Sequence, residues 1–203
     1  MVAVISGRPV EFLAHELGVG PGQSRPRLFG LYGAEIFGEE SSATARDPDR
    51  AALADIARRA SSTVPGALIE DKGVSVTFHW RTRPDLEQTL IDLAHELAQR
   101  SNLRTARGRM SIEIFGSSVH DKASALLKAV GAHHTACFIG DDLGDLAAFD
   151  ALDELGSNGV TVLRIAVASE ESVEELLARA DAVLDGPKQV VAFLDALATR
   201  VEA

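Results

Sequence analysis

The chain has 203 residues, 46% hydrophobic and 25% charged, with a formal net charge of −10. That composition belongs to a globular protein of one large or two small domains. Its acidic balance argues against a nucleic-acid partner, which needs a lysine- and arginine-rich surface. Cys137 is the single cysteine, so neither an internal disulfide nor a thiolate metal cluster can form, and a reducing, cytoplasmic setting is expected. No apolar run approaches spanning length, and no membrane partner is expected.

The chain opens inside an apolar, β-branched run, "VAVIS" (Val2 to Ser6), which reads as a strand covered on both faces. A helix is predicted after Pro9, with Phe12, Leu13 and Leu17 on its inner side and Gly18 as its stop. "RLFGLYGAEIF" (Arg27 to Phe37) reads as strand, with Gly30 and Gly33 permitting close backbone approach. Residues 38–48 are polar and turn-rich and mark a boundary.

The pattern then changes. Asp47 or Asp49 is placed to cap a helix running to about Ala60. "GVSVTFHWR" alternates: Val74, Val76, Phe78 and Trp80 fall on one face, Ser75, Thr77, His79 and Arg81 on the other, as in a strand with one buried and one wet face. A second helix follows Pro84, with Leu86, Leu90, Leu93, Ala94 and Leu97 at helical spacing. "RMSIEIF" (Arg109 to Phe115) alternates again. The expected unit is α+β, its helices on one sheet face and its polar face free to act as a lid.

After Gly116 strand and helix alternate. A helix spans about Lys122 to Val130, "TACFIG" is a buried strand, and a helix runs to about Leu152. "VTVLRIAV", "SVEELLARA", "AVLD" and "PKQVVAFLDALATRV" then read as strand, helix, strand and helix. The expected fold is α/β: a doubly wound, Rossmann-like parallel-sheet core of residues 1–40 and 116–203, with an α+β cap inserted at residues 41–115.

Ligands of open α/β sheets bind beyond the carboxyl ends of the strands. Ser6, Arg8, Lys122, Asp141 and Asp142 are expected there. Ser6-Gly7-Arg8 offers a hydroxyl, backbone N–H groups and a guanidinium, which suit an anion. "GDDLGD" gathers three carboxylates within five residues, a costly arrangement that a hard cation such as Mg2+ offsets. Asp145 could instead cap or charge the first turn of the following helix, a reading that does not easily explain the whole set. A hydroxyl, a lysine and a metal-binding carboxylate pair together suit a phosphate monoester. In the inserted unit, Glu70, Lys72, His79 and Arg81 are the polar candidates for substrate contact.

These segments together resemble the trehalose-6-phosphate phosphatases of the haloacid dehalogenase superfamily. "VAVISGR" is similar to the superfamily's second motif, "GLYGAE" to a glycine-rich segment, and "EDKGVSVTFHWR" to a cap signature. "GRMSIEI", "HDKASAL" and "IGDDLGDLAAF" complete the series. The resemblance implies a magnesium-dependent hydrolase that splits trehalose 6-phosphate into trehalose and phosphate. Ser6 and Lys122 would hold phosphate, Asp141 and Asp142 the metal, and Arg109 and Glu113 sugar hydroxyls. It also implies trehalose-6-phosphate synthase as a functional partner. The alternatives are a sucrose or mannosyl phosphatase with the same cap, or a non-catalytic sugar-phosphate-binding chain.

The superfamily's nucleophile lies in an Asp-X-Asp segment that ends a central strand. No such segment occurs here; Asp47 and Asp49 have the spacing, but Pro48 separates them and no apolar strand precedes them. The expectation is that the enzyme's true start lies upstream of Met1. The strands ending at Ile5 and Gly140 are accordingly expected to keep unpaired edges.

Overall fold

The computed structural model describes residues 1–20, 22–23, 26–39, 48–117, 121–169 and 174–201. Asp47 and most of the 38–48 boundary lie outside them. The chain forms two compact units, Met1–Asp121 and Lys122–Ala203.

In the first unit, β1 (Ala3–Ile5) pairs in parallel with β2 (Arg27–Gly30), and β3 (Glu35–Ile36) returns antiparallel to β2. The single strand predicted over 27–37 is therefore broken. Leu31, Tyr32 and Gly33 have φ of 46°, 57° and 91°, so the chain reverses between β2 and β3. The helix α1 (Val10–Leu17) buries Val10, Leu13 and Ala14 and ends at Gly18 in a left-handed conformation. Phe12 and Leu17, expected inside, are exposed, because the buried stripe follows the i, i+3, i+4 set that begins at Val10. The Glu35 carboxylate accepts from the Val10 N–H at 2.8 Å, where a helix N-terminus favours negative charge.

The rest of this unit is an antiparallel sheet in the order β4 (Leu68–Asp71), β5 (Ser75–His79), β7 (Ser111–Phe115), β6 (Arg104–Gly108). The helices α2 (Arg50–Thr63) and α3 (Glu87–Arg100) pack on one face. There Val76, Phe78, Trp80, Ile112 and Ile114 meet Leu53, Ile56, Ala60, Leu90, Ala94 and Leu97. Full burial of such side chains contributes about 1.5–3 kcal/mol each. "RMSIEIF" begins as strand only at Ser111, because Met110, with φ of 51°, turns the β6–β7 hairpin. The other sheet face is not wet as expected: Ser75 and Thr77 are 0% and 3% exposed. Long side chains from the neighbouring strands hydrogen-bond across it rather than into solvent.

The second unit runs α4 (Lys122–Val130), β8 (Thr135–Gly140), α5 (Leu146–Ser157), β9 (Thr161–Ala168), α6 (Glu174–Arg179), β10 (Ala182–Asp185) and α7 (Gly186–Val201). Its sheet is parallel, in the order β10-β9-β8. The helix α5 packs on β8 and β9, and α7 on β9 and β10. β8, expected to be buried, leaves Thr135 and Cys137 exposed. Among the described residues β1 and β8 each have one ladder neighbour, so each is an edge strand of its own sheet. No described helix is long and apolar enough to cross a membrane.

Candidate active site

The second unit brings Lys122, Asp141, Asp142 and Asp145 together around one buried carboxylate. Asp145 is 2% exposed. Its Oδ1 accepts from Lys122 Nζ at 2.6 Å, and its Oδ2 accepts the backbone N–H groups of Asp141 and Asp142 at 3.0 Å each. Asp142 completes a reciprocal capping box by accepting the Asp145 backbone N–H, and its Oδ1 also accepts the Leu143 N–H at 2.6 Å. The sequence follows from this geometry. β8 must end in glycine, because a Cβ at position 140 would lie 2.5 Å from Asp145 Cγ. Lys122 opens α4, and its ion pair fixes the loop after β8 to that helix.

Asp145 is thus a cap and an anchor, and its oxygens are spent inside the protein. Asp141 and Asp142 are exposed at the end of β8. The described residues contain no group of three or more His, Cys, Asp or Glu side chains arranged to hold a metal. The donor type still fits magnesium, since both exposed groups are hard carboxylate oxygens.

In the first unit, Ser6 follows β1 and its N–H donates to Phe29 O at 3.0 Å. The Arg8 N–H donates to Ser6 Oγ at 3.1 Å. The Arg8 guanidinium is exposed and stacks 5.4 Å from the Phe12 ring centroid. Two residues of the reversal fasten this loop: Leu31 N–H donates to Arg8 O and Tyr32 N–H to Ser6 O, both at 2.9 Å.

The polar face of the four-stranded sheet gathers most of the remaining candidates. Glu113, 8% exposed, accepts from Lys72 Nζ at 2.9 Å and Ser75 Oγ at 2.6 Å on Oε1, and from the Tyr32 hydroxyl at 3.0 Å on Oε2. Glu70 pairs with His79 at 3.0 Å. Between these groups, Thr77 lies opposite Glu113 on one side and Glu70 on the other. Its Oγ1 is buried with no hydrogen-bond partner among the described residues. Arg81 and Arg109 are both exposed, in turns. Sequence reasoning missed Ser75, Tyr32 and Thr77. Ser75 and Thr77 alternate in register with His79, and that period was the available signal; Tyr32 lies within "GLYGAE", which was read only for its glycines.

Asp49 does not act as a side-chain cap for α2. Its carboxylate accepts the Ser117 N–H at 2.5 Å, and its pKa is held below the ordinary 3.8 first by a side-chain bond from Ser117 and then by that backbone bond.

The chain matches the family model described as trehalose-phosphatase over residues 1–182. The trehalose-phosphate phosphatase of Mycobacterium avium is 28% identical, the match covering 99% of this chain and 53% of that protein. The C-terminal domain of Candida albicans trehalose-6-phosphate phosphatase superposes with a TM-score of 0.73 at 24% identity, covering 98% of this chain and 78% of that one. A haloacid dehalogenase-like hydrolase from Bacteroides thetaiotaomicron gives 0.57 at 15% identity, covering 89% and 79%. At those identities the two structures speak for the fold alone. The chain spans about half the length of the curated relatives it matches first. With the family model covering nearly its whole length, the chain belongs to the trehalose-phosphatase family.

Proposed function

We propose that this chain carries the substrate- and metal-binding parts of a magnesium-dependent phosphatase that hydrolyses trehalose 6-phosphate to trehalose and phosphate. The observation that carries the proposal is the Lys122–Asp145 pair beside two exposed aspartates at the carboxyl end of β8. Family membership supplies the substrate class.

In this proposal Asp141 and Asp142 hold Mg2+, which would neutralise charge on the phosphoryl oxygens. Lys122, its orientation fixed by Asp145, offers its ammonium to the same group. Ser6 Oγ can donate its own proton to a phosphoryl oxygen while still accepting from Arg8 N–H, and Arg8 adds a cation. The α2-to-β7 segment is the cap. Its polar face, with Glu70, Lys72, His79 and Glu113, selects the sugar, and Arg81 and Arg109 extend that selection from its turns. The orphan hydroxyl of Thr77 supports this assignment, since it sits among groups that recognise hydroxyls and has no partner among the described residues. Hydrolysis also needs a nucleophile, a role assigned to none of the described residues. A cytoplasmic site of action, and a synthase that supplies trehalose 6-phosphate, belong to the same proposal.

The test is phosphate release by protein translated from the longest reading frame that contains these codons. Trehalose 6-phosphate is expected to turn over faster than sucrose or mannosyl phosphates, and only with magnesium. Preference for another ester would reassign the substrate, and binding without turnover would favour a non-catalytic sugar-phosphate-binding protein.

A further inference from the structure

Leu31 and Tyr32 are bulky residues held in the left-handed region, a conformation that side chains with a Cβ rarely adopt. Such strain persists only where the surroundings over-determine it. Here the backbone N–H groups of both residues donate to the Ser6-Gly7-Arg8 loop. The Tyr32 ring lies directly against Gly7: a Cβ there would sit 2.6 Å from the ring's Cζ and hydroxyl. The same hydroxyl donates to Glu113 Oε2, on the sheet's polar face. Lys72 Nζ lies 5.8 Å from the Tyr32 ring centroid, and Phe115 packs against that ring at 5.9 Å. One side chain therefore touches the backbone of the proposed phosphate loop and the carboxylate at the centre of the proposed sugar face.

We propose that Tyr32 is a positioning residue that couples the two halves of substrate recognition, so that sugar at Glu113 changes the hold of Ser6-Gly7-Arg8 on phosphate. This rests on the phosphatase proposal above. A sugar hydroxyl that competes for Glu113 alters the Tyr32 bond. The altered ring position is felt at Gly7, which has no side chain to absorb it. By linkage the effect is reciprocal: phosphate at the loop changes trehalose affinity by the same factor.

The test uses the whole 203-residue chain, wild type and Tyr32→Phe, with inorganic phosphate and trehalose as probes. Calorimetric titration of each probe, alone and with the other at saturation, is expected to show coupling of roughly fivefold or more in wild type. In Tyr32→Phe the separate affinities are expected to persist and the coupling to vanish. Hydrogen exchange without ligand supplies a second readout. Loss of a bond to a charged carboxylate is expected to speed exchange at the amides of positions 31 and 32 by about tenfold, with the second unit unchanged.

Equal coupling in both proteins would overturn the role of Tyr32 and leave the phosphatase proposal intact. If wild type binds neither probe, the phosphatase proposal falls. The exchange comparison then decides whether the Tyr32 hydroxyl restrains the loop, and equal exchange in both proteins would overturn that too. Because Tyr32 is the chain's single tyrosine, ring-labelled tyrosine gives one NMR signal. That signal is expected to move on adding either probe, and a stationary signal with both bound counts against the coupling.

Discussion

Thr77 and Asp145 show what polar side chains cost and contribute when buried. Thr77 carries a hydroxyl with no partner among the described residues, and an unsatisfied buried hydroxyl costs about 1–3 kcal/mol. Thr77→Val, nearly the same shape without the hydroxyl, is expected to stabilise the free protein by about 1 kcal/mol and to weaken sugar binding. Thermal unfolding checks the first effect and titration with trehalose the second. A variant less stable than wild type would mean that the hydroxyl is satisfied. Asp145 is the opposite case, since each of its acceptor oxygens is used. Asp145→Asn leaves Lys122 without its counter-charge and removes one acceptor. Breaking a buried pair from one side costs about 3–5 kcal/mol, and the lower end is expected because Lys122 keeps some solvent contact at 16% exposure. A denaturant titration reads it; an effect below about 1 kcal/mol would refute the anchor role.

At the scale of elements, arginines tie the second unit together. Arg164 on β9 grips Asp181 through both carboxylate oxygens, with Nε and Nη2 at 3.0 and 2.8 Å, and also contacts Asp153 on α5. Arg179 on α6 reaches Asp150 and Asp153 at 2.7 and 2.8 Å. The side-chain bond from Arg164 holds the Asp181 pKa below its ordinary 3.8, and the backbone bond from the same residue adds to this. A carboxylate depressed on folding contributes stability above its unfolded pKa, and that stability is lost as pH falls through the folded value. The stability gap between wild type and Asp181→Asn is therefore expected to hold constant above about pH 5 and to shrink below the ordinary carboxylate value. A gap independent of pH from neutrality to the acid transition would rule the ion pair out as its source.

Elements were legible where periodicity and punctuation agreed. The helix from Lys122 to Val130 and the strands "TACFIG" and "AVLD" have the predicted bounds. β6, "RTARG", was not: a mostly exposed edge strand has no apolar alternation to read. Nor was β4, "LIED", whose four residues are too few to establish a period. The break at Leu31 and Tyr32 was also hidden, because neither residue favours the left-handed conformation and only tertiary bonds hold them there. The exposed faces of β8 and α1 were misjudged for a related reason. Apolar sequence records what can be buried, and not which covering segment is present.

For the molecule as a whole, the order of segments along the chain carried the family, and the family-model match over residues 1–182 bears that out. The roles of individual residues were less legible. Lys122, Asp141 and Asp142 were singled out by type and position, but the buried carboxylate beside them is the third aspartate, Asp145, which takes the N3 place in a capping box at Asp142. Polar residues on the four-stranded sheet were recognised as a set, yet their burial and mutual pairing depend on strands that the sequence concealed.

The central claim is that exposed carboxylates after β8 hold a cation that, with Lys122, grips a phosphorylated sugar. Calorimetric titration of the chain with trehalose 6-phosphate, with and without magnesium, tests it most directly when wild type and Asp141→Ala are compared. Binding that requires magnesium and falls by about tenfold or more in the variant, roughly 1.4 kcal/mol, is the predicted result. Equal affinity in the two proteins, or affinity indifferent to magnesium, would contradict it.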